Sequence, residues 1–331
     1  MGKLYAIADL HLSYKLNADA LGALHDVHGD DGLILAGDLG EREEHLETAF
    51  RWARAHFKTV WWCPGNHELY TLPTGKTTSP DDDDDDGEGE DKEPRGQAKY
   101  DACVAVARRH GVLTPEDPFV VWDCGDDVDA GGGGGGGDDG RMAKALVCPI
   151  FTLYDYSFAP DGVPRGKEVE WAAEEGICAT DEVLLHPDPY PSREAWCDAL
   201  LKRAEARLAE AAAEASAQNM KLVIANHWPL HERVVALPAV PRFRIWCGSR
   251  RTGDWHTRFG AAVVVSGHIH IRRTDWIDGV RFEECSLGYP RQWQRARDAG
   301  RDISAFLREI LPGPAEKGEE GVTRWRTLGG P

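Results

Sequence analysis

No apolar run among the 331 residues approaches the roughly 20 residues of a membrane-spanning helix, so no membrane partner is expected. The chain begins directly with a strand-like segment, without a basic n-region or cleavage site. A cytoplasmic location follows as the expectation. Basic residues are in deficit: 38 Lys and Arg stand against 56 Asp and Glu. The electrostatic footprint of a nucleic-acid binder is missing. The eight cysteines, at 63, 103, 124, 148, 178, 197, 247 and 285, form no C-x-x-C pair. Neither a structural zinc site nor a redox pair is indicated, and buried free thiols are the reading. A run of seven glycines lies within 125–140, without the Lys-Ser/Thr ending of a phosphate-binding loop. It reads as a flexible linker and not as a nucleotide site.

The formal charge of −18 is mostly local. Residues 81–91 carry nine acidic side chains and 125–140 five more, with no basic residue in either stretch. Without those 14 the charge becomes −4. Adjacent carboxylates repel one another and bury nothing, so disordered inserts are expected near 75–96 and 125–141. Residues 1–70 read as β-α-β-α-β, with helices over 19–27 and 43–57. A helix resumes over 97–110, and a long Ala-rich one spans 193–216. Residues 276–284 read as a hairpin around Asp278-Gly279. The expectation is an α/β fold with one domain over 1–300 and a C-terminal tail over 301–331 with little further core.

Five short motifs each follow a strand-like apolar run. They are Asp9-Leu10-His11, Gly37-Asp38, Gly65-Asn66-His67-Glu68, Asn226-His227 and Gly267-His268-Ile269-His270. The runs before them, 4–8, 33–36, 59–63, 221–225 and 262–265, have the continuous apolar character of buried parallel strands. Ligands of open α/β sheets bind outside the carboxyl ends of strands. The sequence therefore offers two carboxylates, one amide and up to five imidazoles on loops that can converge at one sheet edge. A mixed oxygen and nitrogen set without thiolate suits Mn, Fe or Zn in a reactive site. Asp38 is the candidate bridge, because each of its oxygens can serve one ion. Asn66 offers a neutral oxygen. Two ions side by side polarise a phosphoryl oxygen and lower the pKa of a shared water, which phosphate esters need. His67, directly after Asn66, is the candidate general acid. Glu68 is a candidate to orient it, against a plain surface role. His231 and His256 leave pocket, core and surface roles open. Any one motif alone is ordinary turn chemistry; five in order are not.

The ordered set D-x-H, G-D, G-N-H-E, N-H and G-H-x-H resembles the calcineurin-like binuclear metallophosphoesterases, over roughly residues 3 to 290. The resemblance implies a four-layer α/β/β/α sandwich and phosphoester hydrolysis by metal-bound hydroxide. It implies two divalent ions, one held by Asp9, His11, Asp38 and His270 and the other by Asp38, Asn66, His227 and His268. His67 matches the catalytic histidine. Stretches at 153–158, 179–182, 189–197, 245–248, 254–257, 279–284 and 288–290, several of them rich in aromatic residues, are similar to those of actinobacterial phosphopantetheinyl hydrolases. These enzymes remove 4′-phosphopantetheine from carrier proteins, so holo acyl carrier protein becomes an expected partner. The stretches are candidates for the substrate pocket.

Arg242, Arg244, Arg250, Arg251, Arg258, Arg272 and Arg273 cluster around the last ligand strand. They read as a phosphate-recognition group, against the alternative of solvated loop arginines. Two other functions remain open on sequence alone. One is a phosphatase or phosphodiesterase acting on a small nucleotide, sugar or metabolite phosphate. The other is a metal-binding scaffold without catalysis, against which the complete ligand set and His67 argue.

Overall fold

A computed structural model describes residues 2–24, 28–73, 93–125, 142–313 and 318–327. The acidic and glycine-rich inserts fall largely outside the described residues. The strands are β1 (Leu4–Ile7), β2 (Gly32–Leu35), β3 (Thr59–Trp62), β4 (Val120–Asp123), β5 (Lys144–Pro149), β6 (Lys221–Ala225), β7 (Ala261–Ser266), β8 (Arg273–Ile277), β9 (Val280–Glu284), β10 (Arg308–Leu311) and β11 (Arg324–Trp325). The α-helices are α1 (Lys15–Leu21), α2 (Glu43–His56), α3 (Gly96–Arg109), α4 (Glu168–Ala173), α5 (Asp181–Leu184), α6 (Arg193–Ala217), α7 (Trp255–Arg258) and α8 (Gln294–Asp298).

The strands form two sheets, one ordered β10-β1-β2-β3 and the other β11-β8-β9-β7-β6-β5-β4. Parallel pairing runs through β1-β2-β3 and through β5-β6-β7-β9. Successive side chains of a strand face opposite ways, and here both faces are apolar. Leu4, Ala6, Ile34, Ala36, Trp61 and Cys63 from the first sheet pack with Ala145, Val147, Val223, Ala225, Val263 and Val265 from the second. Their alternates, among them Ile7, Leu33, Leu35, Leu146, Leu222 and Ile224, join the helices in another cluster. The result is the four-layer α/β/β/α sandwich.

The long outer helices present apolar stripes for this purpose. In α2, Leu46, Ala49, Phe50 and Ala53 are buried at helical spacing, and Glu43 and Glu44 sit in the first turn, where the helix dipole favours acid. In α6 the Ser192 hydroxyl caps the start by accepting from Ala195 N at 3.2 Å. Leu200, Leu201, Ala204, Leu208 and Ala211 are its buried face. The hairpin of β8 and β9 turns at Asp278 (φ 52°) and Gly279 (φ 73°), the positive-φ pair of a two-residue loop.

Two local expectations are corrected. The first helix runs over Lys15–Leu21, earlier than 19–27. The stretch after 301 is not poor in core: Ile303, Phe306, Ile310 and Leu311 are buried. Its β10 lies antiparallel on β1 and its β11 on β8, so it adds an edge strand to each sheet. Strands this short, opening with arginine, carry little periodic signal.

The same stretch neutralises a buried carboxylate. Glu283 on β9 accepts from Arg308 at 2.8 Å, Arg326 at 3.2 Å and Thr274 at 2.7 Å, and Arg281 lies 3.4 Å away. Burial pushes its carboxyl pKa up, but the three guanidinium groups outweigh burial and hold it below the usual range. Glu283→Ala leaves those cations buried without their anion and is expected to lower stability by about 3–5 kcal/mol. Because the folded-state pKa is depressed, this stabilisation is present above the unfolded-state carboxyl pKa and is lost as pH falls through the folded one. Denaturant titration at neutral and acidic pH checks it. A neutral-pH loss under about 1 kcal/mol, the size of an exposed pair, would contradict the buried-network account.

Candidate metal centre

The five motifs lie in the loops that leave the carboxyl ends of β1, β2, β3, β6 and β7. The loops are bent alike. Asp9 (φ 56°), His11 (43°), Asp38 (55°), His268 (73°) and His270 (53°) all sit in the left-handed region, which is disfavoured by roughly 1–2 kcal/mol for a side-chain-bearing residue. Such strain persists where neighbours over-determine it and clusters at functional sites. Here the loops brace one another: Asp9 N donates to Gly37 O, His11 N to Asp38 O and Gly288 N to Asp9 O, all at 2.9–3.0 Å. The glycines in the motifs permit close approach. A Cβ on Gly65 would lie 2.1 Å from Asp38 Oδ1, and one on Gly267 would lie 2.4 Å from Asp9 Oδ2.

The structure brings Asp9, His11, Asp38, Asn66, His227 and His268 together, buried, with the partly buried His270 and His67 beside them. Asp9, His11, Asp38 and His270 each offer one ligand atom within 4.8 Å of the others. His270 Nε2 lies 2.9 Å from Asp9 Oδ1 and 3.1 Å from His11 Nε2. On the other side, His268 Nδ1 lies 3.2 Å from both Asn66 Oδ1 and His227 Nε2. Asp38 faces both sides, with Oδ2 3.9 Å from His11 Nε2 and Oδ1 3.5 Å from His227 Nε2.

The far sides of these side chains are anchored. His227 Nδ1 meets Ala36 O at 2.9 Å, His268 Nε2 meets Trp246 O at 3.1 Å, and His270 Nδ1 meets Gln292 Oε1 at 2.8 Å. Ser286 Oγ donates to Asp9 Oδ2 at 2.6 Å. Such contacts fix the orientation of metal ligands. Asn66 gives its amide hydrogens to Tyr70 Oη (2.8 Å) and Asp181 Oδ1 (3.0 Å), which turns its oxygen inward. Burial and the cationic charge around His67 push the His11 imidazole down to about 3. Burial and the neighbouring His227 do the same to His268, also to about 3. With its Nε2–H turned to the Trp246 carbonyl, the neutral His268 ring presents its Nδ1 lone pair to Asn66 Oδ1 at 3.2 Å, and two acceptors this close repel one another unless a cation lies between them. The donor set therefore fits divalent metal.

His67 Nδ1 pairs with Glu41 Oε1 at 2.8 Å, and its Nε2 lies 3.8 Å from Asp38 Oδ2. Burial works against the charged ring, but the Asp38 charge and the Glu41 bond prevail and raise its pKa to about 9. Glu41, and not Glu68, is thus the carboxylate that orients His67. Its sequence signal was an acid three residues after Asp38. Glu68 is fully buried instead. It accepts from Asp38 N, Leu39 N and Gly65 N, each at 3.0 Å, and so ties the loop after β2 to the loop after β3. Glu68→Ala orphans three backbone donors at about 1–3 kcal/mol each. A stability loss of about 3 kcal/mol or more, with reduced metal retention, is expected from denaturation and metal analysis. An unchanged melting curve would show that the loops hold themselves.

The other sequence candidates settle elsewhere. Asn226 spans Thr152 and Trp228 O within the core. His231 packs against His256 and Phe282, and His256 lies 3.0 Å from Asp278. The arginines form no recognition group. Arg242 pairs with Glu174 and Glu175, Arg244 with Glu232, Arg250 with Asp161, Arg251 with Asp198, Arg258 with Glu205 and Arg273 with Asp275. Arg272 is buried and donates to the carbonyls of Ser286, Leu287 and Gln292. They are neighbours in sequence but are spent on separate carboxylates and carbonyls in space, apart from Arg244 and Arg250, which share Glu232. Most of the aromatic stretches are core as well: Tyr154, Phe158, Trp196, Trp246 and Trp255 are buried. Only 179–181 and Tyr289 from those stretches line the cavity above the cluster, which measures about 670 Å³.

Comparison with known proteins agrees with this geometry. Residues 2–272 match the calcineurin-like phosphoesterase family. The acyl-carrier-protein phosphodiesterase PptH of Mycobacterium tuberculosis is 39% identical over 315 residues, covering 94% of this chain and 84% of that protein. The crystal structure of the phosphopantetheinyl hydrolase PptH from the same organism superposes with a TM-score of 0.78 at 37% identity, over 96% of this chain and 99% of that one. Among the described residues no helix is long and apolar enough to cross a membrane. The chain belongs to the calcineurin-like phosphoesterase family, hydrolases of phosphate esters that use divalent metals, and a buried Asp/His group stands ready for them.

Proposed function

We propose that this protein hydrolyses the phosphodiester between a carrier-protein serine and 4′-phosphopantetheine. The observation that carries the proposal is the likeness to PptH along nearly the whole of both chains. The site is read as binuclear. Asp9, His11, Asp38 and His270 would hold one ion and Asp38, Asn66, His227 and His268 the other, with Mn, Fe or Zn as the candidates. The two-sided placement of the Asp38 oxygens supports its bridging role. When bound, such ions polarise a phosphoryl oxygen and make water acidic enough to attack near neutral pH.

The chain's own residues supply the rest. Asp181 and Tyr70 hold the Asn66 amide, and Glu41 keeps the His67 ring charged and aimed inward. The oxygen of water adds to phosphorus, its proton passing to solvent, and the bond to the serine oxygen breaks. That oxygen takes its proton from His67 Nε2, acting as general acid. The products are apo carrier protein and 4′-phosphopantetheine.

The test is product identity. In water enriched in oxygen-18, the label is expected in released phosphopantetheine and not in the carrier serine. Release of pantetheine with phosphate left on the serine would contradict the proposed bond cleavage. Rapid turnover of nucleotide or sugar phosphates, with holo carrier untouched, would move the substrate to a small phosphate ester.

A further inference from the structure

We propose that the segment 237–243 is the specificity wall of the site, an apolar surface that seats the organic arm of the substrate while the metal cluster takes the phosphoryl group. The inference deepens the phosphopantetheinyl reading and rests on it. The cavity of about 670 Å³ is bounded on one part by Asp38, Asn66, His67, His268 and His270. A phosphoryl group fills a small part of that space, and the volume is in the range of sites that enclose a much larger ligand.

The remainder has a different chemistry. One wall of it is apolar, made by Leu237, Val240 and Phe243 with Leu184 and Ile269, while Ser13, Arg42, His45, Thr180 and Arg291 give polar groups elsewhere in the lining. None of the wall's side chains has a hydrogen-bonding group, so the wall cannot satisfy the hydroxyls of a sugar or the edge of a base. It suits the branched dimethyl carbon of a pantetheine arm, whose hydroxyl and two amides would turn to the polar lining at Ser13, Arg42, Thr180 and Arg291. The wall also continues from the reacting centre outward. Phe243 stacks on His268 with ring centroids 6.0 Å apart and planes at 30°, whereas Val240 is 41% exposed.

The segment is preformed. Val240 N donates to Leu237 O at 3.2 Å and Phe243 N to Val240 O at 3.0 Å. Pro238 and Pro241 restrict its backbone. Beyond it, Ile245 and Trp246 are fully buried and anchor it. A rigid apolar wall loses little entropy when a chain settles on it.

The test compares two inhibitors of bis(p-nitrophenyl) phosphate hydrolysis by the full-length, Mn-loaded enzyme. 4′-Phosphopantetheine carries the arm, and inorganic phosphate does not. Wild-type enzyme should prefer phosphopantetheine. In Val240→Asp, and separately in Leu237→Ser, its inhibition constant should rise about tenfold, while that of phosphate shifts by less than about twofold. Equal weakening of both inhibitors would place the effect on the cluster and overturn the inference. So would no weakening, or a wild-type enzyme indifferent between the two. If wild type shows the preference but leaves holo carrier protein intact, the carrier reading fails and the wall stands.

Discussion

Asp38→Ala is expected to remove metal and activity together. The side chain is buried among the cluster, with one oxygen toward His11 and the other toward His227. Its charge is also the strongest reason that His227, despite burial, is held protonated near a pKa of about 10 before metal arrives. Removing the carboxylate takes an anionic ligand from both sides of the site at once. Two-ion stabilisation of a phosphoryl transition state is worth several kcal/mol, so kcat/KM should fall by about 10³-fold or more. Elemental analysis of the purified variant should show bound metal falling in parallel. Asp38→Asn restores the shape without the charge and should recover little. Full occupancy by both ions in Asp38→Ala would remove the bridging role.

His67→Ala should have a different signature. Metal content is expected to stay, because the His67 ring stands beside the cluster and its nearest carboxylate partner is Glu41. Turnover should slow by about 10²–10⁴-fold for esters with poor leaving groups, which need a proton. Nitrophenyl esters should be affected far less. The pH profile carries the same information. Without metal the His67 pKa is raised to about 9, and cations held by Asp38 would lower it, so the rate with a poor leaving group should fall as pH rises through a limb at or below that value. Glu41→Gln removes one of the charges that raise the pKa and should move that limb down by about one pH unit or more. A limb that stays in place would mean that another group donates the proton, and an unchanged rate in His67→Ala with poor leaving groups would exclude it as the acid.

Much of this site was readable because its parts share a local grammar. Parallel strands buried on both faces leave continuous apolar runs, and each ligand follows one of them. The motif glycines are there because a Cβ at Gly65 or Gly267 would strike Asp38 or Asp9. What escaped the sequence has no such grammar. Glu41 and Asp181 reach His67 and Asn66 from a loop and from the short α5, where a carboxylate looks like any surface acid. Glu68 stood in a motif, yet its role of gathering three backbone donors from two loops is visible only in three dimensions. The arginines misled for the opposite reason. Their closeness in sequence suggested a shared ligand, whereas they turn to carboxylates and carbonyls of the protein itself. The edge strands β10 and β11 were missed because pairing, and not propensity, makes them strands.

One measurement bears most directly on the account. Purified, Mn-loaded protein is incubated with holo acyl carrier protein, and the intact mass of the carrier is followed with time. The account expects the carrier to lose the mass of its phosphopantetheinyl group at a rate that collapses in Asp38→Ala. A carrier of unchanged mass, beside continued cleavage of bis(p-nitrophenyl) phosphate by the same preparation, would contradict it and leave a phosphoesterase that acts on a smaller ester.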